Sequence, residues 1–248
     1  MAGVTGTLPQ RLAGLATSIA TAIVIVAIAI LPFLTPAWVS FEQGRTGVSQ
    51  LTGYSTPELR VVTDAILADL VIGPPDFDVA VNGEAVLNER ERAHMRDVRG
   101  VFGGFGLVAV ASVVLVVAAV AGAHRLGHPE RAWQAIRAGA IGLAIGVVVG
   151  GFVALVAFDV AFEIFHRLFF AGGTYTFDPG TERLVQLFPF AFWSETTMAV
   201  GGVVLALSAA TAFVAGRRIR RGSAAHLADP AADRAAGEAS RVKPEAAR

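Results

Sequence analysis

The sequence contains no cysteine. Disulfides, thiolate nucleophiles and thiolate metal sites are thereby excluded, the redox compartment stays undetermined, and the lipidation cysteine of a lipoprotein is absent. Charge is scarce too: Asp, Glu, Lys and Arg make up 16% of the 248 residues and cancel to zero. No global field draws such a chain toward nucleic acid, and no nucleic-acid partner is expected. No serine stands in a G-x-S-x-G elbow, which argues against an ordinary serine hydrolase. No glycine-rich phosphate loop follows a strand, and H-E-x-x-H is missing. Imidazole and carboxylate from His94, His166 and an aspartate would suit zinc or manganese, but no close-spaced ligand pair supports that reading. Neither a metal nor a cofactor is expected.

What is present is apolar. Residues of hydrophobic type reach 54% and the mean hydropathy is +0.60, the balance of a polytopic membrane protein. Four runs are long enough to cross a hydrocarbon core of about 30 Å: 13–34, 102–122, 139–157 and 197–215. The first reads as an uncleaved signal anchor, being too long for a signal peptide and lacking a small-residue cleavage site. Gly142, Gly146 and Gly150 recur every four residues in the third run, the spacing that lets membrane helices approach closely. The expectation is an all-α membrane protein: a four-span domain over residues 1–216, with outward segments 35–100 and 158–195 containing short helices. Residues 217–248, rich in alanine and charge, are expected to form a disordered tail.

Within the first outward segment, Thr56-Pro57-Glu58 predicts a helix start with Thr56 as N-cap, and Val62, Ile66 and Leu70 form its apolar stripe. Asn88 predicts a second start, leading into the second span. Residues 123–138 read as a connecting loop. Arg11, Arg125, Arg131, Arg137, Arg217, Arg218, Arg220 and Arg221 place both termini in the cytoplasm of a bacterial cell by the positive-inside rule, and the long segments outside. Arg90, Arg92, Arg96 and Arg99 fall on the outer side, where Arg92 and Arg96 are candidates for lipid phosphates; a solvated face among Glu89, Glu91 and Asp97 is the competing reading.

Topology sorts the five histidines. Only His94 and His166 lie on the outer side, each close to a span. Glu91 and Asp97 stand three residues either side of His94, and Asp159 stands two helical turns before His166 among Phe162, Phe165, Phe169 and Phe170. A carboxylate beside an imidazole fixes its tautomer and stabilises its charged form, as a general base requires. Against this, Glu91 completes a capping box with Asn88, and Asp178 caps a short helix from Pro179 to Phe188.

These residues fall into linked motifs: E-x-x-H-M-x-D-V at Glu91–Val98, F-D-x-x-F-x-x-F-H-x-x-F-F at Phe158–Phe170, F-D-P at Phe177–Pro179 and F-P-x-x-F-W at Phe188–Trp193. Together they resemble the lipoprotein intramolecular transacylase family of four-span bacterial membrane proteins, over about residues 10–215. The resemblance implies an enzyme of the cytoplasmic membrane that moves the sn-2 acyl chain of a diacylglyceryl-cysteine to the cysteine α-amine, leaving lyso-form lipoprotein. It implies His94 and His166 as the catalytic pair on the outer face. Asp97 and Asp159 are the expected supporting carboxylates. Glu91, Arg92, Arg96, Tyr175, Asp178 and Trp193 are the expected substrate contacts, and diacylglyceryl lipoproteins and phospholipid the partners. A non-catalytic lipid- or lipoprotein-binding protein, or a structural membrane subunit, is the alternative on the same scaffold.

Overall fold

The computed structural model describes residues 7–170, 172 and 174–227. The expected tail beyond 227 lies outside these residues. Four helices are long and apolar enough to cross a membrane. Helix α1 (Leu8–Ile30) starts with Thr7 and Gln10 in a reciprocal capping box. A 3-10 turn at Leu31–Leu34 extends it. Three short helices follow outside the apolar zone, α2 (Pro36–Arg45), α3 (Val48–Thr52) and α4 (Thr56–Val71). A two-residue hairpin, β1 (Ala80–Val81) with β2 (Glu84–Ala85), leads to α5 (Glu89–Arg125). Then come α6 (Pro129–Val156), α7 (Phe158–Phe169), α8 (Arg183–Leu187) and α9 (Phe190–Leu227).

The N-cap of α4 is Ser55, not the expected Thr56, because Ser55 completes a capping box with Glu58. Residues 123–138 are mostly helix rather than loop: α5 runs to Arg125 and α6 begins at Pro129, leaving only a turn with Gly127 at φ 75°. Likewise α9 runs past the fourth apolar run, so Arg217, Arg218, Arg220 and Arg221 sit on its last turns.

Two cores hold the molecule. In the bundle, α1, α6 and α9 meet around Ile25, Ala29, Ala140 and Val204. Leu107, Val110, Val114 and Val117 of α5 stay exposed, as side chains facing hydrocarbon do. The glycine ladder 142, 146, 150 is not the contact: nothing approaches where their Cβ atoms would be. Gly139 is. A Cβ there would press on the backbone of Ser18, whose hydroxyl donates to the Ala135 carbonyl at 2.9 Å. The second core caps one end of the bundle. Val48, Val62, Ile66, Phe77, Val86, Met95 and Leu187 are buried together there.

Helix α5 joins the two cores. At 37 residues it is about 55 Å long, well beyond the roughly 30 Å of a hydrocarbon core. Its polar first third therefore stands clear of the apolar zone, and that third carries His94.

Candidate active site

Asn88 caps α5 and accepts from the Glu91 amide, while Glu91 Oε2 accepts from the Asn88 amide at 2.7 Å. Glu91 Oε1 also accepts from the Leu184 amide at 2.6 Å, across 93 residues of sequence. With both oxygens taken by backbone and 1% exposure, Glu91 ties α8 to α5. It is an anchor rather than the expected substrate contact, as its capping-box spacing had allowed.

One turn further along, His94 is 6% exposed and its Nδ1 has no hydrogen-bond partner among the described residues. His166 comes from α7, and the two rings stack at 6.2 Å between centroids with 22° between planes. Phe170 and Phe177 wall His94 at 4.8 and 5.4 Å; Phe162 and Tyr175 flank His166 at 4.0 and 5.1 Å. His94 and His166 thus share one aromatic cage at the end of the bundle.

Neither imidazole is oriented by the carboxylate expected for it. His166 Nδ1 lies 2.8 Å from the Phe162 carbonyl oxygen, an acceptor, so Nδ1 is the donor there, and in the neutral ring Nε2 is the nitrogen with the lone pair. Asp159, two turns before His166, instead shares a shallow depression with Glu163 and Arg167. The carboxylate that reaches the cage is Glu163, which accepts from Tyr175 Oη at 3.1 Å and from Arg167 at 2.7 Å. Asp97 makes no hydrogen bond to His94 among the described residues. Burial pushes the His94 imidazole down to about 4; the nearby His166 acts in the same sense and Asp97 opposes them. His94 is therefore neutral around pH 7.

The other expected contacts divide. Tyr175 is in the cage. Arg92 donates to the Asp76 carbonyl and to Asp78, and Arg96 to Glu89 at 2.6 Å, so both are held by loop and helix partners. Asp178 does not cap a helix beginning at Pro179. It accepts from the Gly180 amide and the Thr181 hydroxyl in a turn, and the helix begins later, with Glu182 as N-cap. Trp193 packs with Phe188 and Phe192, outside the histidine cage.

Sequence reasoning missed Arg90. It grips both oxygens of Glu182, at 2.5 and 2.6 Å, and lies over the Phe177 ring at 4.9 Å. Arg90 holds the Glu182 carboxyl below the usual range, with the Asp178 amide assisting. The pair fixes Phe177 against His94, and a separation of 92 residues left no local signal for it. Arg90→Ala should cost roughly 1.5–3 kcal/mol, the range for hydrogen bonds to charged groups. Thermal unfolding would show it as a lower Tm, with little further loss on adding Glu182→Gln.

Four helices long and apolar enough to cross a membrane, with buried His94 stacked on half-buried His166 at one end of the bundle, define an integral membrane protein. The chain belongs to the lipoprotein intramolecular transacylase family, Lit, whose family model matches residues 14–193. That membership makes it an integral membrane enzyme acting on lipoproteins. Among solved structures it is similar to the membrane integral lipoprotein intramolecular transacylase Lit from Bacillus cereus, at 18% identity and TM-score 0.71, covering 87% of this chain and 97% of that one. A histidine-to-arginine variant of the same protein gives 19% identity and TM-score 0.70, with 88% and 95% covered. A histidine-to-alanine variant gives 20% and 0.69, with 86% and 94% covered. At these identities the likeness is one of fold. No curated protein sequence matches significantly.

Proposed function

We propose that this protein moves the sn-2 acyl chain of a diacylglyceryl-cysteine to the cysteine α-amine, giving lyso-form lipoprotein, with His166 as the base and His94 as the oxyanion partner. The observation that carries the assignment is the stacked histidine pair with unlike surroundings. His166 has its Nδ1 proton committed to the Phe162 carbonyl, so Nε2 is free to accept. His94 is buried and neutral, and a neutral imidazole N–H is a hydrogen-bond donor to developing charge.

The steps balance without water or cofactor. The α-amine, with a reference pKa of about 7.7–8.0, attacks the ester carbonyl in its neutral form. The carbonyl becomes an oxyanion facing His94. The new C–N bond leaves an ammonium whose proton passes to His166 Nε2. Collapse breaks the bond to the sn-2 oxygen, which takes that proton and leaves as the free hydroxyl. Both reacting groups lie on one substrate, so orientation replaces a second binding event. The phenylalanine wall takes the acyl chain, and the exposed Val160, Ile164 and Leu168 of α7 meet lipid.

Purified protein incubated with a synthetic diacylglyceryl lipopeptide should convert it to an isobaric product with the acyl group on nitrogen, resolved by tandem mass spectrometry. Binding without such conversion would return the protein to the lipid-binding reading.

The site faces outward from the cytoplasmic membrane in this proposal, because of where the arginines fall. Arg125, Arg131, Arg137, Arg217, Arg218, Arg220 and Arg221 occupy the short stretch between the second and third apolar runs and the segment just past the fourth, at the opposite end, where the positive-inside rule acts. The arginines at the site end belong to long segments that follow it poorly. Reporters at Gly127 and after Leu227 should then read cytoplasmic and one at Gly83 external. An external signal at Gly127 would reverse the orientation.

A further inference from the structure

The end of the bundle away from the histidines has a feature that acyl transfer does not use. Between α6 and α9 lies a groove of about 430 Å³ lined by Gln134, Arg137, Ala138, Ile141, Gly142, Ile145 and Ile219. Its mouth is basic. Arg137 Nε and Arg220 Nη1 converge on buried Gly216, at 3.6 and 3.7 Å from where a Cβ would stand. No carboxylate pairs with either guanidinium among the described residues. Glu130, at the start of α6, is engaged with His128 at 3.5 Å. Two exposed guanidinium groups drawn to one point beside an apolar groove attract an anion between them.

The rest of the groove says what the anion is attached to. From Arg137 to Ile145 the lining descends about 12 Å along α6 into the apolar span, and it becomes wholly aliphatic. Gly142 leaves its floor open, with nothing within 4 Å of a Cβ position. Trp133, one turn before Arg137, lies under Arg218 at 5.7 Å and marks headgroup depth. A free phosphate would use the mouth and leave the aliphatic slot without purpose.

We propose that this groove holds one anionic phospholipid, its phosphate between Arg137 and Arg220 and one acyl chain along Ile141, Gly142 and Ile145. Basic pockets between membrane helices select anionic headgroups in this way. The site is separate from the histidine cage, and binding there needs no turnover.

The test is native mass spectrometry of the full chain released from detergent, with dioleoyl phosphatidylglycerol or dioleoyl phosphatidylcholine added. One phosphatidylglycerol should be retained at least tenfold better than phosphatidylcholine. Arg137→Gln with Arg220→Gln should bring it down to the phosphatidylcholine level, whereas Arg137→Lys should keep most of it. Gly142→Leu, which fills the slot and leaves the arginines intact, should weaken retention severalfold. Millimolar inorganic phosphate should not displace the lipid. Equal retention of the two lipids, or a double variant that still prefers phosphatidylglycerol, overturns the proposal. Displacement by phosphate would reduce it to a surface anion site, and indifference to Gly142→Leu would remove the chain from the slot. Should the double variant fail to fold, Arg137→Lys and Gly142→Leu still decide.

Discussion

Replacing either His94 or His166 by alanine should lower acyl transfer by about 10²–10⁴, the range for removing a positioned base or an oxyanion donor. The double variant should be little worse than the poorer single one, since groups acting on one transition state are strongly non-additive. Initial rates with the lipopeptide, on protein that remains folded and membrane-inserted, would measure this. Fully additive losses would separate the two rings in function although they stack at 6.2 Å. The pH dependence adds a second reading. His94 is held down to about 4 by burial. Between about pH 6.5 and 4 the unfolded chain takes up a proton there that the folded chain refuses. The stability contributed by His94 is thus complete above 6.5 and declines as pH falls toward 4. The His94→Ala variant should lack that acid-side slope in a series of Tm measurements.

The largest stability effect is expected from one carbon atom at Gly139. Its Cβ would clash with the Ser18 carbonyl oxygen and lie 2.9 Å from the Ser18 carbonyl carbon and Cα. These are backbone atoms of α1 and cannot swing aside as a side chain would. Gly139→Ala should cost about 3 kcal/mol or more, at or above the top of the overpacking range, because α1 and α6 must separate. Gly142→Ala, three residues on, meets nothing and should leave Tm unchanged or slightly raised. Thermal unfolding of the two variants side by side checks the contrast. A tolerated Gly139→Ala would show that the α1–α6 contact is loose.

That contrast also marks what could be read from the sequence. The four apolar runs are visible because hydrocarbon imposes a length and a composition. Which glycine faces a neighbour depends on helix rotation, and a four-residue ladder does not specify it. The histidines could be chosen because topology left only His94 and His166 on one side. Their orienting partners could not, since Phe162 acts through its carbonyl, which any residue would supply. Helical spacing favoured Asp159 because it measures separation along one strip, whereas α7 presents Glu163 to Tyr175. Arg90 and Glu182 meet only after the chain has crossed the membrane twice. Glu91 was legible in its lesser role, as the third residue of a capping box, and its hold on Leu184 is the tertiary use of that same carboxylate.

The exposed apolar side chains of α7 set how this enzyme counts its substrate. Val160, Ile164 and Leu168 are exposed; in the proposed reaction they meet lipid, and the substrate arrives by lateral diffusion with its acyl chains still immersed. Encounter then takes place in two dimensions. Saturation is governed by lipoprotein per unit membrane area, and the volume of the surrounding fluid drops out. Adding empty lipid or detergent should slow the reaction at constant amounts of enzyme and substrate, while adding buffer should not. A cell could therefore change its flux through this step by enlarging its membrane, with the number of enzyme molecules unchanged.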